Sequence, residues 1–327
     1  MNKIFNISGT LLLTAILLLT AACSSDSSND VQPSPTPNTS QEISLNPTIW
    51  QMAEATRATM LDNDYLQNQN NGFICTAYTA NSTTVNSDAG IENNHVTWGN
   101  SRWNFTGGTR NWPVSGDLDF FAYTPTTIPT YITNNSDVAS SITYDERNPQ
   151  FKCANLPVTN SGQDAITEFV YALTTGQNKT NAASGVTLSF LHPFTRIQLQ
   201  LAANHPAIRI NTITFKSIKN NGTYKNASWS PSGEATDFVW TFNDDYDNHA
   251  SNTPLTLGNS YLMIPQTWEG VIEVNATWNV WGESKTNTVS KDLEGTITWQ
   301  RGYSYTYTFN ITETDLVVNT SKYTEQW

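Results

Sequence analysis

Between positions 302 and 311 the chain reads Gly-Tyr-Ser-Tyr-Thr-Tyr-Thr-Phe-Asn-Ile, with an apolar side chain at every second place. A period of two puts those side chains on one face of an extended strand, whereas a helix would scatter them around its axis. Such a strand needs a second layer to cover that face. The same alternation recurs over positions 186–190, 196–201 and 271–280. Turn signals such as Asn71-Gly72, Ser115-Gly116-Asp117, Ser161-Gly162 and Asn221-Gly222 separate the runs. Sustained helical periodicity is nearly absent, and the apolar content leans on Trp, Tyr, Phe, Ile and Val. The expected fold class is therefore all-β, with two sandwiches in tandem.

The amino terminus carries a different pattern. Lys3 precedes a short apolar run at positions 11–19, and Thr20-Ala21-Ala22 leads into Cys23. The run is too short to span a bilayer, and positions 1–22 read as a bacterial lipoprotein signal peptide, with an ordinary cleaved secretory signal as the alternative. Cleavage before Cys23 would leave a diacylglycerol on its sulfur and an acyl chain on its amino group, and two lipid signals make durable anchoring. Removing the signal, whose one charged side chain is Lys3, takes the net charge from −12 to −13. Nucleic acid and anionic lipid are poor partners for such a chain.

Positions 23–46 hold three prolines, many Ser and Asn, and few apolar residues, so a flexible tether is expected there. The stretch Thr174-Thr175-Gly176-Gln177-Asn178-Lys179-Thr180-Asn181-Ala182-Ala183-Ser184-Gly185 is small and polar. It marks a boundary between an amino-terminal domain, 47–178, and a carboxyl-terminal one, 184–327.

Residues with chemical potential are sparse. His95, His192, His205 and His249 lie far apart with no ligand-type neighbour at metal spacing, so no metal or cofactor is expected. No Gly-x-Ser-x-Gly elbow, phosphate loop or His-Glu-x-x-His run occurs, and no catalytic role is expected. Asp117 and Asp119 would share a strand face, the one arrangement suggestive of a glycosidase, although a solvated polar face accounts for them as well. Asn243-Asp244-Asp245-Tyr246-Asp247-Asn248 is rich in oxygen ligands but lacks the central Gly and distal Glu of a calcium loop. Eleven tryptophans would stack on glycans if exposed and fill sandwich cores if not. Cys75 and Cys153 either form one disulfide or remain buried thiols.

Three stretches together resemble the fimbrillins, type V pilins of Bacteroidales. Trp112-Pro113 followed by Asp119-Phe120-Phe121-Ala122-Tyr123-Thr124-Pro125 is similar to a stretch of their first domain. Val186 to Leu201, with Phe190, His192 and Arg196, resembles the opening of their second domain, and Glu294 to Trp327 resembles their carboxyl end. The resemblance implies two transthyretin-like β-sandwich domains and a surface fimbrial subunit or anchor that supports adhesion. It further implies outer-membrane attachment through the lipid on Cys23, other fimbrial subunits as partners, and an extracellular trypsin-like protease. Arg57, followed by Ala58, matches the family's cleavage position, and residues 49–56 would be the strand removed. Leu316, Val317, Val318 and Asn319, within 316–323, match the donor strand that fills the next subunit's groove. The rival readings are a monomeric surface lipoprotein binding a glycan or host ligand, and a glycoside hydrolase on a jelly-roll scaffold.

Overall fold

A computed structural model describes residues 42–49, 61–133, 143–145, 148–246, 252–268, 270–280, 283–293 and 297–323. The chain starts with β1 (Leu45–Ile49), α1 (Asn63–Gln67), β2 (Phe73–Thr79), β3 (Asn94–Gly99), β4 (Arg102–Phe105) and β5 (Leu118–Thr124). It continues through β6 (Ile132–Thr133), β7 (Thr143–Asp145), β8 (Asn148–Cys153), α2 (Asn160–Asp164), β9 (Val170–Gln177), β10 (Val186–Phe190) and β11 (Thr195–Leu201). The remainder comprises β12 (Ile208–Lys225), β13 (Ser228–Tyr246), β14 (Leu255–Met263), β15 (Thr267–Trp268) and β16 (Val271–Val280). It closes with β17 (Glu283–Asp292), β18 (Ile297–Thr298), β19 (Ser304–Ile311) and β20 (Leu316–Tyr323). The all-β reading holds, and the alternating run at 302–311 becomes β19, whose Tyr305, Tyr307, Phe309 and Ile311 are all buried.

One core lies against a five-stranded sheet ordered β4-β3-β2-β5-β9. Phe73, Cys75 and Ala77 from β2 and Leu118, Phe120 and Ala122 from β5 meet Val186, Leu188 and Phe190 from β10. A second core is shared by the sheet β14-β11-β19-β20 and the seven-stranded sheet built on β17-β16-β12-β8-β6. There Phe215 stacks on Trp268 with centroids 5.2 Å apart, and edges of Trp240 and Tyr307 close on the same ring. Most of the eleven tryptophans that are described thus fill cores: Trp112, Trp240, Trp268, Trp278 and Trp299 are buried.

A third aromatic cluster joins the two. Phe121 and Tyr171 use the opposite face of the five-stranded sheet, and they pack with Phe151, Phe194, Tyr224 and Leu262. Here β8, from within the stretch 47–178, pairs with β12 from within 184–327. Strand pairing therefore crosses the boundary expected at 178–184, because β8 finds its ladder partner beyond it. Residues 42–46, expected to close the tether, instead belong to the fold: Glu42 bridges Asn111, while Ile43 and Leu45 are 2% and 4% exposed. The correction has a simple cause. Ile43, Leu45 and Ile49 sit at even spacings, a strand pattern masked by the polar residues around it.

Candidate functional site: the seat of the first strand

Strand β1 runs parallel to β10, with Leu45 opposite Val186 and Ile49 opposite Phe190, and β10 is its sole partner strand among the described residues. Two strands of five residues have little ladder to hold them, so side-chain burial must carry the attachment. Ile43, Leu45 and Ile49 insert into the first core beside Phe73, Trp112 and Phe120. Backbone hydrogen bonds extend the grip at the start: Ile43 N donates to Arg110 O at 2.7 Å, and Val186 N donates to Ser44 O at 2.8 Å. At the other end Ile49 N donates to Asn63 Oδ1 at 2.8 Å. Gly185 makes the approach possible. Its φ is +106°, and a Cβ there would stand 2.6 Å from Asn46 Nδ2 and 2.9 Å from Ser44 Oγ.

Beyond residues 50–60, Leu61 is 2% exposed. Leu61 N donates to Glu168 Oε2 at 3.2 Å, and Glu168 Oε1 lies 2.8 Å from His192 Nδ1. Both members of this pair are buried, at 0% and 2% side-chain exposure. Asp62 then caps α1, its Oδ1 accepting the Tyr65 amide at 2.6 Å, and Leu66 turns into the core. Two buried anchors, Ile49 and Leu61, therefore flank residues 50–60. Arg57 and Ala58 fall in that interval, outside the described residues, and Cys23, the expected lipidation position, lies outside them too. Of the strand expected at 49–56 only Ile49 is described, as the last residue of β1, and 50–56 lie outside the described residues.

Leu316, Val317, Val318 and Asn319 lie together at the start of β20, an outer strand that pairs with β19. Leu316 is 1% exposed and Val318 packs partly against the second core, whereas Val317 is 45% exposed and Asn319 faces solvent. Most of β20 is exposed, so it contributes few buried side chains to its own chain.

The remaining expected residues resolve into structural roles. Asp119 is 1% exposed and its carboxylate accepts the amides of Gly176 at 2.7 Å and Asn81 at 3.1 Å, while exposed Asp117 accepts Asn178 Nδ2 at 2.9 Å. One carboxylate is thus committed inside the fold and the other outside it, which removes the basis for a paired-acid site. Cys75 and Cys153 are free and buried in different core clusters, so the disulfide alternative is replaced by two thiols. Burial pushes both thiols up. His95 Nε2 contacts Asn71 O at 2.7 Å and His205 Nδ1 contacts Pro206 O at 2.9 Å. No cluster of three metal-ligating side chains occurs among the described residues. His249 and the side chains of the acidic run 243–248 lie outside them.

The site is thus a short strand with a single partner strand among the described residues, whose apolar side chains complete the first core of an all-β protein. The profile of the fimbrillin-like family matches residues 56–327, and the chain belongs to that family. This membership supports a role in fimbriae and adhesion at the cell surface. Among curated proteins none matches. A fimbrial protein from Bacteroides vulgatus shares the fold at 16% identity, TM-score 0.60, over 86% of this chain and 98% of its own. A protein assigned to cell adhesion from Bacteroides ovatus is similar at 16% identity and TM-score 0.52, over 86% and 96%.

Proposed function

We infer that this chain is a non-catalytic fimbrial component, delivered to the outer membrane as a lipoprotein through Cys23 and assembled by exchange of strands. A trypsin-like protease cuts after Arg57, and β1 leaves with everything before it. The groove so opened presents the unpaired edge of β10 and the apolar surface that Ile43, Leu45 and Ile49 had covered. Each of those side chains is worth roughly 1.5–3 kcal/mol of burial, so the empty groove is strongly unfavourable and a donor strand is taken up. Strand β20 of another subunit supplies it, as an exposed edge strand that loses little on leaving. The observation that carries this reading is the seat of β1: a strand with one partner, three buried anchors, and an arginine in the segment beyond it.

A second reading is a subunit that keeps its lipid and serves as an anchor or tip. What favours it is the mismatch between the two segments: the inward face of β20 offers Leu316 and Val318, whereas β1 and the residues just before it offer Ile43, Leu45 and Ile49.

Intact mass and electrophoresis of surface-extracted protein separate the two. A mass beginning at Ala58 with SDS-resistant ladders, both lost in Arg57→Ala, is expected for the cut subunit. Ladders that survive Arg57→Ala would rule out the role assigned to Arg57, and a mass beginning at acylated Cys23 would select the second reading.

A further inference from the structure

Away from the seat of β1, a cleft of about 720 Å3 opens beside the turn between β12 and β13. Asn226 and Ala227 hold that turn with φ of 52° and 57°, the left-handed pair of a tight hairpin, and so deliver Ser228 and Trp229 to the cleft wall. Its floor is Trp268 and Trp299, buried and stacked with centroids 5.3 Å apart. Trp229 and Tyr303 are half-buried and stand at its sides, while Ser228, Thr298 and Gln300 are exposed on its rim.

The charge of the cleft opposes that of the chain. The protein has 28 acidic and 16 basic side chains, yet among the described residues Lys219 and Arg301 line this cleft and no carboxylate does. Neither cation has an ion-pair partner among the described residues. A third cation reaches the rim, since Lys322 Nζ donates to Gln300 Oε1 and stands 4.1 Å from the Tyr303 ring centroid.

We propose that this cleft binds an acidic oligosaccharide, with Lys219 and Arg301 taking a sugar carboxylate and the half-buried aromatic walls taking the apolar faces of the rings. The volume lies within the range of small-molecule sites. A bare anion would need only the cations. The combination with aromatic walls and a rim of hydroxyl and amide groups fits a ligand that is a ring, a polyol and an acid together. The site shares no residue with the seat of β1, and Lys219 and Arg301 lie outside β20, so only the rim cation Lys322 would leave if β20 were exchanged.

Titration calorimetry of the full chain with trigalacturonate, neutral cellotriose and hexaglutamate tests it. Trigalacturonate should bind with an affinity that falls with salt, and cellotriose and hexaglutamate should bind at least about tenfold more weakly. The Lys219→Gln/Arg301→Gln double variant should lose about tenfold in affinity for trigalacturonate, as two solvent-accessible ion pairs from half-buried cations allow. Lys219→Gln alone should lose less and Lys219→Arg should restore binding, which keeps the test valid if the Arg301 change unfolds the protein. Failure to bind trigalacturonate, equal binding of cellotriose or hexaglutamate, or affinity unchanged in a folded Lys219→Gln variant would overturn the proposal.

Discussion

The amide of Leu61 donates to the carboxylate of Glu168 across 107 positions of sequence, at 3.2 Å and out of contact with solvent. Because the other oxygen of Glu168 meets His192, just past β10, the segment following residues 50–60 is tied to the strand on which β1 lies. The tie does not pass through β1 itself. Loss of β1 therefore leaves Leu61 and α1 held in place. Glu168→Gln keeps the shape of the side chain but gives up the charge, and should destabilise the fold by about 1.5–3 kcal/mol, the range for hydrogen bonds to charged groups. Urea unfolding measures it, and a change within 0.5 kcal/mol would show the pair to be energetically idle.

Gly185 offers a way to disturb β1 without touching it. A Cβ there meets Asn46 Nδ2 at 2.6 Å and Ser44 Oγ at 2.9 Å, and its φ of +106° is strained for any L residue. Gly185→Val should weaken the docking of β1 and speed trypsin cleavage between residues 49 and 61. Leu45→Ala and Ile49→Ala should each cost about 2–5 kcal/mol by leaving cavities. Cleavage of Gly185→Val no faster than that of the parent would mean that β1 does not depend on this approach.

What the sequence made legible follows the strength of each period. The alternation of 302–311 and 271–280 survives as β19 and β16 because a half-buried strand writes its two faces directly into sequence. Ile43, Leu45 and Ile49 follow the same rule, but Asn46 and Pro47 between them imitate a linker, so 42–46 read as the end of a tether and only Ile49 as strand. Pairing of β8 with β12 was not legible, since nothing local specifies a partner some seventy positions away. Asp117 and Asp119 show the same limit. Their spacing puts them on one strand, yet only tertiary contacts decide that Asp119 collects two amides while Asp117 faces water. The cleft charge was equally hidden, because Lys219 on β12 and Arg301 before β19 are far apart in sequence and only the fold sets both along one cleft.

The free thiols give a direct chemical test. Cys75 and Cys153 are 0% and 2% exposed, and burial pushes both thiols up, so the thiolate needed for reaction is scarce. In the folded Cys23→Ser variant, maleimide should label neither, and in denaturant without reductant it should label both. Two labels only after reduction would establish a disulfide in place of the separate thiols.

Buried tyrosines set the alkaline limit of the fold. Burial raises Tyr78 to about 12, with a smaller contribution from the negative charge of Glu92. Burial likewise raises Tyr131, Tyr171, Tyr224 and Tyr307 above the ordinary value of 10.0. A group whose folded pKa is raised holds its proton more tightly in the native state. Its contribution to stability is complete below the unfolded value and is lost as pH rises toward the folded one. The melting temperature should therefore hold up to about pH 10 and fall steeply between there and about pH 12. Tyrosinate absorbance should rise in step with unfolding, because the buried phenols ionise once released. Tyr224→Phe removes one such group along with its hydrogen bond to Tyr171, so it should lower the melting temperature at neutral pH and soften the alkaline fall. Full ionisation of all thirteen tyrosines with the fold intact would contradict the burial assigned to these five.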